Sequence, residues 1–134
     1  MNLVEKLLKA DKATVEQLEE KVMVSQKLSK VLGEKNVEIT IREIPPRRFN
    51  QLTNAQYGEN GEFLPERVFD VHTLICAEGI VEPNLKDKDL QAHFGASTPK
   101  DLAEKLFKGE CSKIAAEINK MCLVEPDTEK KLEN

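Results

Sequence analysis

Apolar residues recur along this chain at two periods, and the two periods predict different structure. Leu3-Val4 and Leu7-Leu8 are pairs four residues apart, on one face of a short helix. Asp11-Lys12-Ala13-Thr14 interrupts the pattern, and Thr14 with Gln17 three residues later fits a capping box for a second helix. Val15, Leu18, Val22, Leu28 and Leu32 fit one face of a single long helix. They also allow a helix ending near Lys21, followed by a short strand at Val22-Met23-Val24. The β-branched pair around Met23 favours the strand, and Gly33 closes the region in either case.

Val37 to Arg42 carries the other period. Val37, Ile39 and Ile41 alternate with Glu38, Thr40 and Arg42, so one face is buried and one is wet. Such a strand needs a partner, and Val22-Met23-Val24 is the nearest. Pro45-Pro46 ends it, because neither residue can donate to a ladder.

The helical period then returns. Arg47 to Leu52 predicts a turn or two of helix, and Tyr57-Gly58-Glu59-Asn60-Gly61 a loop. Pro65 suits a first helical position. Val68, Val71 and Ile75 recur at i, i+3 and i+7 with Leu74 beside them, and Gly79 fits the position just past the helix end. Ile80-Val81 tuck the connection against the core and Pro83 holds the turn. A short helix follows from about Asp87 to Phe94, ended by Gly95. Thr98-Pro99-Lys100-Asp101 is a helix start: Thr as N-cap, Pro at the first position, an acid in the first turn. Leu102, Ala103, Leu106 and Phe107 form its apolar face, and Gly109 breaks it. Glu110 to Cys122 is the last helix, with Ile114, Ala115, Ile118, Met121 and Cys122 on one side.

The expected fold is therefore α+β and predominantly helical, with a short two-stranded β element near the front and a small helical bundle in the second half. Residues 1–134 form one domain, with a helical arm at 1–13, the β element at 21–45, the bundle at 65–122 and a polar tail at 125–134.

Composition narrows the function. The chain is 40% apolar and 33% charged, above the ~25% charge of an average domain, yet its net charge is only −4. No basic excess favours nucleic acid, and with no Trp, one Tyr and five Phe there are few rings on which bases could stack. Apolar runs reach only two to four residues, far short of the ~20 that span a bilayer. Cys76, Cys111 and Cys122 are odd in number and lack a CxxC pair, which reads as reduced thiols in a cytosolic protein. His72 and Cys76 share a predicted helix face, but His93, Cys111 and Cys122 lack the paired spacing of a structural zinc site. No nucleotide loop or nucleophile elbow is present. Lys86-Asp87-Lys88-Asp89 alternates in sign, unlike an acidic metal loop. No catalytic residue, metal or cofactor is expected.

An ordered series of short motifs fills the second half: Leu74-Ile75, Gly79-Ile80-Val81-Glu82-Pro83, Leu85-Lys86-Asp87 with Leu90, Phe94-Gly95, Thr98-Pro99 with Asp101-Leu102, Lys105-Leu106-Phe107, Gly109-Glu110, and Ile114 to Ile118. This order resembles the XkdN-like tail assembly chaperones of contractile-tailed phages and prophages, over about residues 20–122. The chain departs from the family pattern at Met121-Cys122-Leu123, where many members close the helix with a Ser-Gly pair.

The resemblance implies a non-enzymatic protein of the host cytoplasm. It would bind the tape-measure protein, keep its apolar helices soluble and help tail-tube subunits polymerise around it. A structural tail or baseplate component retained in the virion is the alternative. A chaperone for an apolar helix needs an accessible apolar face. The candidates are Leu3, Val4, Leu7 and Leu8 on the arm, and Leu102, Leu106, Ile114 and Ile118 on the paired helices. The arm is expected to be mobile or to dock on a neighbouring copy, which would make the protein a homo-oligomer.

Overall fold

The structure is a computed structural model and describes residues 1–123; the polar tail at 125–134 lies outside the described residues. Helices α1 (Leu3–Leu8) and α2 (Lys12–Glu16) come first. Strand β1 (Glu20–Val24), helix α3 (Gln26–Leu32), strand β2 (Glu38–Arg42) and helix α4 (Pro46–Asn54) follow. A 3₁₀ turn at Pro65–Arg67 leads into α5 (Val68–Gly79), then β3 (Ile80–Glu82), α6 (Lys88–His93), α7 (Pro99–Phe107) and α8 (Glu110–Cys122).

The sheet has three antiparallel strands in the order β1-β2-β3, not two. Met23 lies opposite Ile39, Lys21 opposite Ile41, and Ile80 opposite Ile41 on the other side. β3 escaped sequence reading because three residues carry no measurable alternation, and its pairing depends on α5 delivering it to the free edge of β2. A two-stranded hairpin alone is marginal in water, so this third strand and the helices behind it make the element stable.

The core lies between one face of the sheet and helices α4, α5, α7 and α8. Ile39 and Ile41 from the sheet meet Phe49, Leu52, Val71, Ile75, Leu102, Phe107, Ile114 and Ile118. Each such side chain contributes roughly 1.5–3 kcal/mol by leaving water. α5 packs on both α7 and α8.

Local chemistry explains the element ends, and several differ from expectation. The strand at Val22-Met23-Val24 forms, but the helix before it ends at Glu16 rather than near Lys21. Thr14 is inside that helix and is no cap; Asp11 is, its side chain accepting from the Ala13 amide at 3.0 Å. α3 is a separate helix because Ser25 caps it, its hydroxyl oxygen accepting from the Leu28 amide at 3.1 Å. Gly33 ends α3 at φ 66° and Gly95 follows α6 at φ 70°, both left-handed conformations that favour glycine. Gly79 is the last residue of α5, not the one past it. It is needed for a different reason: a Cβ there would meet Ile118 Cδ1 at 2.5 Å. At the break between α7 and α8 the positive-φ residue is Lys108, with φ 50°, and Gly109 has φ −61°.

Candidate functional site

The N-terminal arm follows from its sequence. Asn2 caps α1, its Oδ1 accepting from the Glu5 amide at 2.9 Å. Leu3, Val4, Leu7 and Leu8 fall on one face and are 70, 65, 61 and 80% exposed. Neither α1 nor α2 contains a buried residue. A helix of six residues has little stability of its own, since most helical stability comes from packing an apolar face. Among the described residues, that face is uncovered.

The other four candidate positions lie elsewhere. Leu102, Ile114 and Ile118 are fully buried and Leu106 nearly so. The apolar faces of α7 and α8 turn inward against α5 and the sheet. As surfaces offered to a partner they are closed, so the expectation that these two helices present a groove is corrected. Their apolar spacing reports their own core.

The structure places an open apolar groove beside them instead, of about 400 Å³, where α5, β3, the following turn and the start of α7 meet. Leu74, Ala77, Ile80, Val81, Leu85 and Pro99 line it. Ile80 is buried as expected, but Val81 is 37% exposed and faces outward. Arg42, Lys86 and Lys100 stand at its rim with one carboxylate, Glu78. That carboxylate is engaged by Arg48, whose Nε donates to Glu78 Oε1 at 2.7 Å. Sequence reading missed this groove because its residues come from separate segments with no shared spacing. The usable signal was Val81, an apolar residue placed between a buried one and a charged turn.

Two polar contacts join α8 to the front of the chain. Glu110, the first residue of α8, is buried, and its carboxylate accepts from Ser25 Oγ at 2.6 Å and from the Gln26 amide at 2.7 Å. One carboxylate thus serves the N-terminal ends of α3 and α8, where helix dipoles favour negative charge. Lys21 pairs with Glu117 of α8 at 2.6 Å, and that ammonium holds the Glu117 carboxyl below its usual range.

Cys76 and the half-buried His72 of α5 meet α8, and Cys111 of α8 meets α7. Cys76 Sγ donates to the Cys111 carbonyl at 3.3 Å and Cys111 Sγ to the Ala103 carbonyl at 3.4 Å. The Cys111 thiol beside it, together with burial, keeps the Cys76 thiol protonated. His72 Nδ1 is 2.9 Å from Ser112 Oγ, and burial lowers its pKa below the usual 6.5. Among the described residues no cluster of His, Cys, Asp or Glu could hold a metal ion, and no helix is long and apolar enough to cross a membrane.

Comparison with known proteins agrees with this architecture. The crystal structure of the protein yqbn superposes with a TM-score of 0.57 at 19% identity, covering 78% of this chain and 85% of that one. At that identity the likeness shows a shared fold. None of the curated proteins compared matches the chain. The family described as phage XkdN-like tail assembly chaperone protein matches residues 4–134, which takes in the arm as well as the packed body. On that match, the chain belongs to the XkdN-like family of phage tail assembly chaperones.

Proposed function

We propose that this protein binds the tape-measure protein in the host cytoplasm while the tail is assembled. It holds apolar helices of that partner in solution until tail-tube subunits close around them, and it performs no chemical reaction. The observation that carries this reading is the arm: four large aliphatic side chains on one face, each more than 60% exposed. Contiguous apolar surface of this kind usually marks a partner site. The charged remainder of the surface would keep the complex soluble.

Co-expression with the tape-measure protein, followed by pull-down and measurement of soluble tape-measure protein, tests the reading. Recovery of a complex and a gain in solubility are expected. Absence of both would overturn it. Stoichiometric amounts in purified particles, measured by mass spectrometry, would instead favour a retained tail component.

A further inference from the structure

We infer that the groove between α5, β3 and α7 takes the apolar ridge of an amphipathic helix whose flanking positions carry carboxylates. This deepens the chaperone reading, on which the natural source of that helix rests. The floor, Leu74, Ala77, Ile80, Val81, Leu85 and Pro99, offers aliphatic contact and no charge. A volume of about 400 Å³ is near the lower end of the ~300–1,000 Å³ range of ligand pockets. A whole helix, about 10–12 Å across, does not enter it. A few side chains at i, i+3 or i+4 and i+7 from one face do.

The rim decides the sign of the partner. Lys86 and Lys100 bring two positive charges to the groove of a protein whose net charge is −4, and Arg42, whose Nε donates to the Glu78 carbonyl at 3.4 Å, adds a third that it shares with a cleft lined by Glu19, Glu20 and Glu43. The single acid of the lining, Glu78, is paired with Arg48, also an exposed pair, so that acid and that base offset each other in the count. Lys100 also reaches Asp70 at 3.2 Å, but that pair is exposed and weak and leaves the ammonium available. The same charges argue against a second copy's arm as the occupant. Lys6, Lys9 and Lys12 outnumber Glu5 and Asp11 around its apolar face, so the arm is not the acidic-flanked helix that this rim favours. Apolar contact supplies affinity here, and the rim selects an acidic-flanked helix over a basic-flanked one.

Two synthetic helical peptides with the same leucine face, one flanked by Glu and the other by Lys, test this with the full chain. Fluorescence anisotropy should show the Glu-flanked peptide binding about tenfold more tightly at low salt, with the preference narrowing as salt is raised. Amide chemical shifts should move at Val81, Leu85 and Lys100. The exposed double variant Lys86→Glu with Lys100→Glu should remove or reverse the preference. Equal binding of both peptides, shifts confined to α1, or groove shifts that appear on concentrating the protein alone would each overturn the inference. Equal binding of both peptides by a protein that still binds tape-measure protein sinks the groove but leaves the chaperone reading intact. A groove that selects the Glu peptide in a protein that fails to bind tape-measure protein has the opposite meaning.

Discussion

Leu3, Val4, Leu7 and Leu8 stand at the same spacing as Leu102, Ala103, Leu106 and Phe107, and the two quartets meet opposite fates. The first is 61–80% exposed; the second is 0–7% exposed. Both make one apolar stripe on a short helix. The difference is what surrounds them. α7 follows a capped start, with Thr98 Oγ1 accepting from the Asp101 amide at 3.1 Å, and it lies against α5. α1 precedes the body and is joined to it through α2, which buries nothing. Apolar periodicity states that a face must be covered; it does not say whether the cover is the same chain or another.

Substitutions should separate the two quartets. Phe107→Ala removes a fully buried ring and should cost about 3–5 kcal/mol in denaturant unfolding. A loss under about 1 kcal/mol would mean that α7 is not fixed in the core. Next in size is Gly79→Ala, which drives a methyl into Ile118 and should cost about 1–3 kcal/mol. The double-mutant cycle with Ile118→Val, which deletes the nearest atom, should recover part of that loss. Additive effects would show that α5 and α8 approach less closely than described.

Smaller still is the pH response of His72. Burial lowers its folded-state pKa below 6.5, so the folded protein favours the neutral ring. The unfolded chain then binds more protons in this window, and stability rises with pH. Stability from this group is complete above pH 6.5 and is lost as pH falls through the lower folded value. His72→Gln should flatten that part of the stability–pH curve, and an unchanged slope would assign it to other groups. The smallest stability effect belongs to the arm. Leu3→Ser with Leu7→Ser and Leu8→Ser should shift unfolding by no more than about 0.5 kcal/mol, since nothing buried is lost. It should nevertheless lower the yield of soluble tape-measure protein on co-expression. A large stability loss would place the arm in the body.

Much of the fold was legible in the chain because local rules and tertiary packing agree. Ile39 and Ile41 alternate as a half-buried strand does, Thr98-Pro99 starts a helix, and Gly33 and Gly95 end two others. Val22-Met23-Val24 was readable as a strand, although a helical face competed for the same residues. Elements that depend on distant partners were not legible. β3 exists because β2 has a free edge, and Gly79 is required because Ile118 comes close. The buried role of Glu110 depends on Ser25, which is 85 positions away. The arm could be recognised as an apolar face set apart by a polar break. The groove could not, because no spacing links Leu74, Val81 and Pro99.

The dependence of α3 on Glu110 has a consequence in time. Synthesis delivers Ser25 85 residues before the carboxylate that completes its helix start. At about 5–20 residues per second, that interval lasts roughly 4–17 s. The apolar arm is therefore synthesised before the body, which closes only when Ile114 and Ile118 arrive. A fusion that replaced α8 would leave the arm attached to an open core, with apolar surface at both ends of the chain.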